Sequence, residues 1–146
     1  MTTSNKLISA ILIAAIVICT GLIVYLAVTP QPSERFSEFY LLGKQGTATD
    51  YPSQVVAGQP VSVIAGIVNH EGSTADYTVQ IKENDDIIKS IIVGTLNDGQ
   101  KWEQPVEFTL NNAGDGLRVN FFLYKDGGAL PHIKDPLVLI MKVTEN

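Results

Sequence analysis

The sequence is poor in the residues that build disulfides, metal sites and acid–base pairs. Its 146 residues include one cysteine, one tryptophan and two histidines. The lone Cys19 excludes an intramolecular disulfide and a zinc site made from several cysteines. Only His70 and His132 supply imidazole. The chain must therefore be stabilised by a hydrophobic core alone.

Positive charge is also scarce, since ten Lys and Arg residues stand against fifteen Asp and Glu residues, for a net charge of −5. Nucleic-acid binding needs a basic stripe, so we expect no nucleic acid as a partner. The sequence contains no phosphate loop, dinucleotide fingerprint or nucleophile-elbow motif. We therefore expect no cofactor, no metal and no enzymatic activity.

Charge is missing altogether from the 22 residues Leu7–Val28. A helix of that length spans about 33 Å, which matches a hydrocarbon core of roughly 30 Å. No good cleavage site follows, so we expect an uncleaved, single-pass anchor that contacts the lipid bilayer through Leu7–Val28. The predicted organisation is a tail at 1–6, a transmembrane helix at 7–28, a proline-containing spacer at 29–35 and a second domain at 36–146.

The orientation of this helix does not follow from flanking basic residues. Lys6 precedes the helix, whereas Arg35 and Lys44 follow it, so the basic-residue rule does not choose a side. Partly from the family resemblance given below, we expect the tail inside and the C-terminal domain outside the cell membrane.

Residues 36–146 read as all-β because apolar and polar residues alternate with a period of two. Seven segments show this pattern or are rich in β-branched residues: Phe36–Leu42, Val61–His70, Tyr77–Ile81, Ile87–Val93, Trp102–Leu110, Leu117–Leu123 and Leu137–Val143. Val61–His70 is apolar on both faces, which is typical of a central strand. Short turns rich in Gly, Asn and Asp separate the segments. The prediction is an immunoglobulin-like antiparallel β-sandwich of about seven strands, preceded by one transmembrane α-helix.

Four stretches together resemble a known family. They are Phe36–Gly43, Gly66–Glu71, Tyr77–Val79 and Phe122–Gly127. Their order and spacing are similar to those in the C-terminal extracytoplasmic domain of the archaeal membrane-protein family called domain of unknown function 1616. The resemblance covers roughly residues 34–143. It implies a membrane-tethered surface domain and no known activity.

A second resemblance is looser and concerns turns. Ala57–Val61, followed by Val68-Asn69 and Glu71-Gly72, is similar to a pattern in adhesion-related immunoglobulin-like modules. A glycine turn would start the strand, and a turn containing Asn and Gly would close it. Such modules are spacers and contact platforms on cell surfaces, but a likeness of fold alone licenses no function.

Four residues are candidates for a contact surface: His70, Trp102, Phe122 and Tyr124. Phe121 and Phe122 cannot both face inward on a regular strand, so one of them, or Tyr124 on the Phe122 face, is expected to be exposed or covered by another element. A contact surface is one explanation, and sheet stacking on both faces is the other. Trp102 heads an alternating strand, where a core position is the simpler interpretation. His70 with Glu71 could supply metal ligands or an acid–base pair. The simpler interpretation of His70 is a strand end that bonds a neighbouring turn.

The leading hypothesis is a non-enzymatic cell-surface protein for binding, adhesion or envelope structure. Its partners would be other envelope proteins or a cell-surface polymer, with self-association as a further possibility. The alternatives are a subunit of a pilin-like surface filament and an accessory subunit of a larger membrane complex. Pro30 and Pro32 would end a filament-forming helix early.

Overall fold

A computed structural model describes residues 3–30 and 33–146 and divides them into two units. The first unit contains helix α1 (Thr3–Val28), which begins four residues before the predicted start of the span. The helix is long and apolar enough to be a candidate membrane span. Gln31 and Pro32 of the predicted spacer, and Met1 and Thr2 of the predicted tail, lie outside the described residues.

The second unit, Glu34–Asn146, contains eight strands. They are β1 (Phe36–Leu42), β2 (Gln54–Val56), β3 (Pro60–His70), β4 (Ala75–Glu83), β5 (Asp86–Leu96), β6 (Lys101–Thr109), β7 (Gly114–Lys125) and β8 (Leu137–Thr144). The prediction of an all-β sandwich is confirmed. The strand that sequence reasoning missed is β2, since three residues are too short to show alternation.

The strands form a three-stranded sheet in the order β1-β3-β6 and a five-stranded sheet in the order β2-β8-β7-β4-β5. The predicted central position of β3 is confirmed, because β3 pairs antiparallel with both β1 and β6. Every pairing is antiparallel except the one between β2 and β8, which is parallel. The sequence predicted antiparallel pairing throughout, and the parallel edge strand β2 departs from that prediction.

The core lies between the two sheets and consists of alternate residues of each strand. Val63 and Ile67 of β3 are fully buried, as are Val79 and Phe121 of the other sheet. The ring of Phe121 packs edge-on against Phe108 of β6, with ring centroids 5.7 Å apart. This contact joins the sheets through aromatic rings in a favourable geometry.

Two positions in the sheets favour or require a particular residue. The hairpin between β4 and β5 turns at Asn84-Asp85, and Asn84 adopts a φ of 55°, which Asn tolerates better than most residues. On the outer side of β3, the Tyr40 ring lies so close to Gly66 that a Cβ there would overlap it. Glycine at residue 66 is therefore required by the aromatic ring of the neighbouring strand.

Residues 34–146 contain the whole β core, so we expect them to fold without α1 into a soluble domain. Circular dichroism should give a β spectrum, and heating should give one cooperative transition. A spectrum of an unfolded chain would contradict the assignment of this unit as an independent domain.

Candidate functional site

A cluster of polar side chains lies between the sheets near the end of the sandwich where the chain enters β1. We call it the polar cluster, and its members are Ser37, Glu71, Tyr77, Lys125 and His132. Ser37 comes from β1 of the three-stranded sheet, and Tyr77 and Lys125 come from β4 and β7 of the other. Glu71 follows β3, and His132 lies in the loop before β8. Glu71 is only 6% exposed, and Tyr77 is 1% exposed.

The carboxylate of Glu71 is the centre of the polar cluster. Its Oε1 accepts from the Ser37 hydroxyl at 2.7 Å and from His132 Nε2 at 2.7 Å, and its Oε2 accepts from Lys125 Nζ at 3.0 Å. Because Ser37 donates its one hydroxyl hydrogen to Glu71, the Tyr77 hydroxyl is the donor in its 2.7 Å hydrogen bond with Ser37 Oγ. Every charged or polar end in this cluster thus has a partner.

Burial by itself raises the pKa of the Glu71 carboxyl, but the hydrogen bonds from Ser37, Lys125 and His132 outweigh it and bring the pKa to about 2. Burial likewise raises the pKa of the Tyr77 hydroxyl. Glu71 is therefore an anion and Tyr77 a neutral phenol at neutral pH. The cluster holds one buried negative charge, which Lys125 balances.

A serine, a histidine and a carboxylate in contact suggest hydrolysis, but the geometry is wrong for it. A catalytic triad needs the histidine to accept the serine proton on one ring nitrogen and to donate from the other to the acid. Here Nε2 of His132 faces both groups, at 3.1 Å from Ser37 Oγ and 2.7 Å from Glu71. Since Nε2 must carry a proton to bond the carboxylate, it cannot act as the base for Ser37.

Asn69 gives a structural reason for the Asn-Gly pattern seen in the sequence. Its side chain is fully buried, and its amide donates to the carbonyls of Ser73 and Leu96 at 2.8 and 2.9 Å. Its Oδ1 accepts from the backbone N–H of Glu71 at 2.9 Å. Asn69 thus ties the turn after β3 to the end of β5 and holds Glu71 in place.

His70 and Glu71, considered above as a pair, point in opposite directions. Glu71 turns into the polar cluster, whereas His70 lies on the outer side of the three-stranded sheet. There its Nε2 is 2.9 Å from Glu38, and its ring packs against Phe36 with centroids 4.8 Å apart. The hydrogen-bond partner of His70 is thus a neighbouring strand rather than a turn. No group of three His, Cys, Asp or Glu residues suited to a metal occurs in residues 3–30 and 33–146.

The other predicted contact residues are divided between two environments. Trp102 faces inward and packs against both hydrophobic clusters of the core while remaining half-buried. Phe122 and Tyr124 lie together on the outer side of the five-stranded sheet. Lys82 Nζ is 5.0 Å from the centroid of the Phe122 ring and 3.5 Å from the Tyr124 hydroxyl. The structure therefore brings Phe122 and Tyr124 together, but not Trp102 or His70 with them.

Around Phe122 and Tyr124 lies a larger surface that we call the basic face. The strand register places six apolar or aromatic side chains on it: Ile87, Ile92, Phe122, Tyr124, Val138 and Ile140. Ile92 is 85% exposed and Ile140 is 60% exposed. The cations among them are Lys82, Arg118 and Lys142. The carboxylates beside this area are Asp76, which lies outward at the far end of β4, and Asp115, which is 3.9 Å from Lys142 Nζ. Exposed apolar area with cations between its side chains is typical of an interaction surface.

Sequence reasoning missed most of the basic face. Alternation alone predicts that Phe122, Arg118 and Lys82 face outward. The neighbours of each residue depend on the strand order, however, which brings β8 beside β7 and β5 beside β4. Alternation does not predict which face Ile92 occupies. The register of β5 against β4 shifts between Tyr77 and Thr78, and this irregularity interrupts the alternation of inward and outward side chains along β5.

The polar cluster predicts a specific dependence of stability on pH. In the isolated domain at pH 7, Glu71→Gln should lower the free energy of unfolding by on the order of 3 kcal/mol. Because folding lowers the pKa of Glu71 from 4.5 to about 2, this advantage is complete above about pH 4.5. It should be lost as the pH falls through 2.

Denaturant unfolding of wild type and Glu71→Gln between pH 7 and 2 measures this difference. The exposed Glu107→Gln serves as the control and should show little change at any pH. A gap between wild type and Glu71→Gln that stays constant down to pH 2 would contradict the assigned charge of the polar cluster.

Comparison with solved structures gives the same fold. A solution structure of a CARDB domain from Pyrococcus furiosus matches with a TM-score of 0.53 and 13% identity, covering 76% of this chain and 98% of that one. A crystal structure of the same domain in complex with di-metal ions matches with a TM-score of 0.55 and 13% identity, covering 77% and 90%. CARDB domains are adhesion-related and immunoglobulin-like. At this identity the likeness shows the fold alone.

Comparison with sequences gives the family. A search of curated proteins finds no match. The family model described as domain of unknown function (DUF1616) matches residues 30–138, which is most of the chain and nearly all of its β unit. The resemblance first seen in Phe36–Gly43, Gly66–Glu71, Tyr77–Val79 and Phe122–Gly127 is therefore confirmed, and the chain belongs to the DUF1616 family.

Proposed function

We propose that this protein is a membrane-anchored, non-enzymatic binding module whose β-sandwich lies outside the cell and holds an acidic protein surface. The observation that carries the proposal is the basic face. Its aliphatic side chains are exposed to solvent, and the cations between them belong to a domain that is acidic as a whole. The adhesion-related fold of the CARDB domains supports the same class of function.

The anchor is α1, which has the length and apolar composition needed to cross a bilayer. In the described helix every residue from Leu7 to Val28 is uncharged and exposed. A lipid bilayer would cover these side chains, which no other part of the described helical unit buries. Tethering keeps the β domain near the membrane surface and raises its effective concentration toward partners in the same envelope.

The basic face suits a partner that combines carboxylates with apolar contacts. Exposed Ile92 and Ile140 would supply buried area, which drives most protein association. Lys82 and Arg118 lie between them and would pair with carboxylates. Such charges mainly set which partner is accepted and how fast it arrives. Association should therefore weaken as salt screens these charges.

The polar cluster supports the non-enzymatic part of the proposal. The Glu71 carboxylate is kept ionised by three hydrogen-bond donors, and the Ser37 hydroxyl already donates its hydrogen to Glu71. Hydrolysis by covalent catalysis needs a base strong enough to activate the nucleophile, but a pKa of about 2 makes Glu71 a weak base for Ser37, and both residues are buried. The buried groups instead join the two sheets and fix the loop that carries His132.

We expect the double substitution Lys82→Glu with Arg118→Glu to abolish partner binding. Full-length protein is recovered from native membranes in mild detergent, and co-purified proteins are identified by mass spectrometry. Lys44→Glu with Lys134→Glu is the matched control, because it makes the same change in charge away from the basic face. Identical partners for all three proteins would contradict a role for this face.

Orientation is tested by protease added to intact cells. If the C-terminal domain is outside, the exposed loops of residues 34–146 should be cleaved without breaking the cells. A known external protein and a known internal protein serve as controls. Full protection of the domain, with cleavage of the external control, would reverse the proposed topology.

A further inference from the structure

The outer side of the three-stranded sheet has the opposite charge to the basic face. We call it the acidic face. Strand register places the carboxylates Glu38, Glu103 and Glu107 on it, together with Lys101 and with His70, whose Nε2 is 2.9 Å from Glu38. Lys101 Nζ is 2.8 Å from Glu103, which also accepts from the Tyr40 hydroxyl. These bonds from Lys101 and Tyr40 lower the pKa of Glu103, so the carboxylate stays ionised.

The acidic face also has apolar and aromatic groups between its charges. Phe36 is 48% exposed, and the Tyr40 ring lies over Gly66 on the same side as the half-buried Ile64. The basic face also combines apolar side chains with charges, and its three cations are opposite in sign to the three carboxylates of the acidic face. The two outer faces of one sandwich are thus complementary to each other in charge.

We propose that the basic face of one copy binds the acidic face of a second copy, so that the domains stack face to back in rows. The proposal rests on the function proposed above and names its partner: the acidic protein surface is the three-stranded sheet of another molecule of this chain. Lys82, Arg118 and Lys142 would lie against Glu38, Glu103 and Glu107 of the next copy.

Stacking of this kind is heterologous, because two different surfaces meet. Each copy is related to the next mainly by a shift along the sheet normal, so all copies keep the same orientation. The chain enters β1 at the same end of every domain, so all copies in a row would have this end on the same side. A two-fold pairing through the open edge of β5 would instead reverse the strands and place this end of two copies on opposite sides.

The net charge of the domain opposes this association at long range. Outside α1, nine basic residues face fifteen acidic ones. At physiological salt, however, charges separated by more than about 8 Å are largely screened. Contacts between faces act at shorter range, where the local sign of charge decides the outcome. Anchoring in one membrane adds to the effective concentration.

The test uses full-length protein in nanodiscs of uncharged lipid and in detergent, studied by analytical ultracentrifugation and zero-length carbodiimide cross-linking. Wild type should associate at low salt, lose association at high salt, and give intermolecular links between Lys82 or Lys142 and Glu38 or Glu107. Lys82→Glu with Arg118→Glu should weaken association at least tenfold.

The reciprocal variant, Glu38→Lys with Glu107→Lys, separates face contacts from net charge. It makes the domain less acidic, so general repulsion falls, yet association should again weaken at least tenfold. The variant with all four substitutions reverses both faces and should regain association. Lys44→Glu with Lys134→Glu should associate like wild type, and circular dichroism checks that each variant is folded.

Two results would overturn the proposal. One is a wild type that stays monomeric in every condition, and the other is an association that ignores both pairs of substitutions. If Lys82→Glu with Arg118→Glu nevertheless loses a different co-purified protein, the basic face binds that protein rather than a second copy of this chain. If that variant loses nothing, the proposed function fails as well.

Discussion

The buried carboxylate of Glu71 is the interaction on which the arrangement of the sandwich depends. It accepts hydrogen bonds from Ser37 of one sheet, from Lys125 of the other and from His132 of a long loop. A buried charge without such partners would cost several kcal/mol. The position of Glu71 is in turn fixed by Asn69, whose side chain accepts its N–H. One anion therefore sets the spacing of the two sheets at this end of the domain.

The interior polar groups of this cluster satisfy one another, and the interaction that we propose uses the outer surfaces. Both outer faces are determined by the same strand alternation that builds the core. Every inward residue such as Phe121 fixes an outward neighbour such as Phe122. The sandwich thus displays two faces of opposite charge, which is the basis for the partner binding and the stacking that we propose.

The fold could be predicted well from the sequence, because alternation over five or more residues marks a strand whatever its partner. Phe36–Leu42 was predicted with the bounds that the structure has. The polar cluster could not be predicted in this way. His132 and Glu71 are 61 residues apart, and no local pattern signals that a loop histidine returns to a turn. The pairing of Glu71 with His70 looked simpler, but neighbouring residues at a strand end face opposite sides.

The claim that the basic face is the interaction surface is tested most directly by photo-cross-linking in native membranes. A photoreactive amino acid at Ile140, which is 60% exposed on the outward side of β8 within this face, should form an adduct with a protein surface rich in carboxylates. The same group at the exposed Leu130, in the loop before β8, should form none. Adducts at Leu130 together with none at Ile140 would contradict the account.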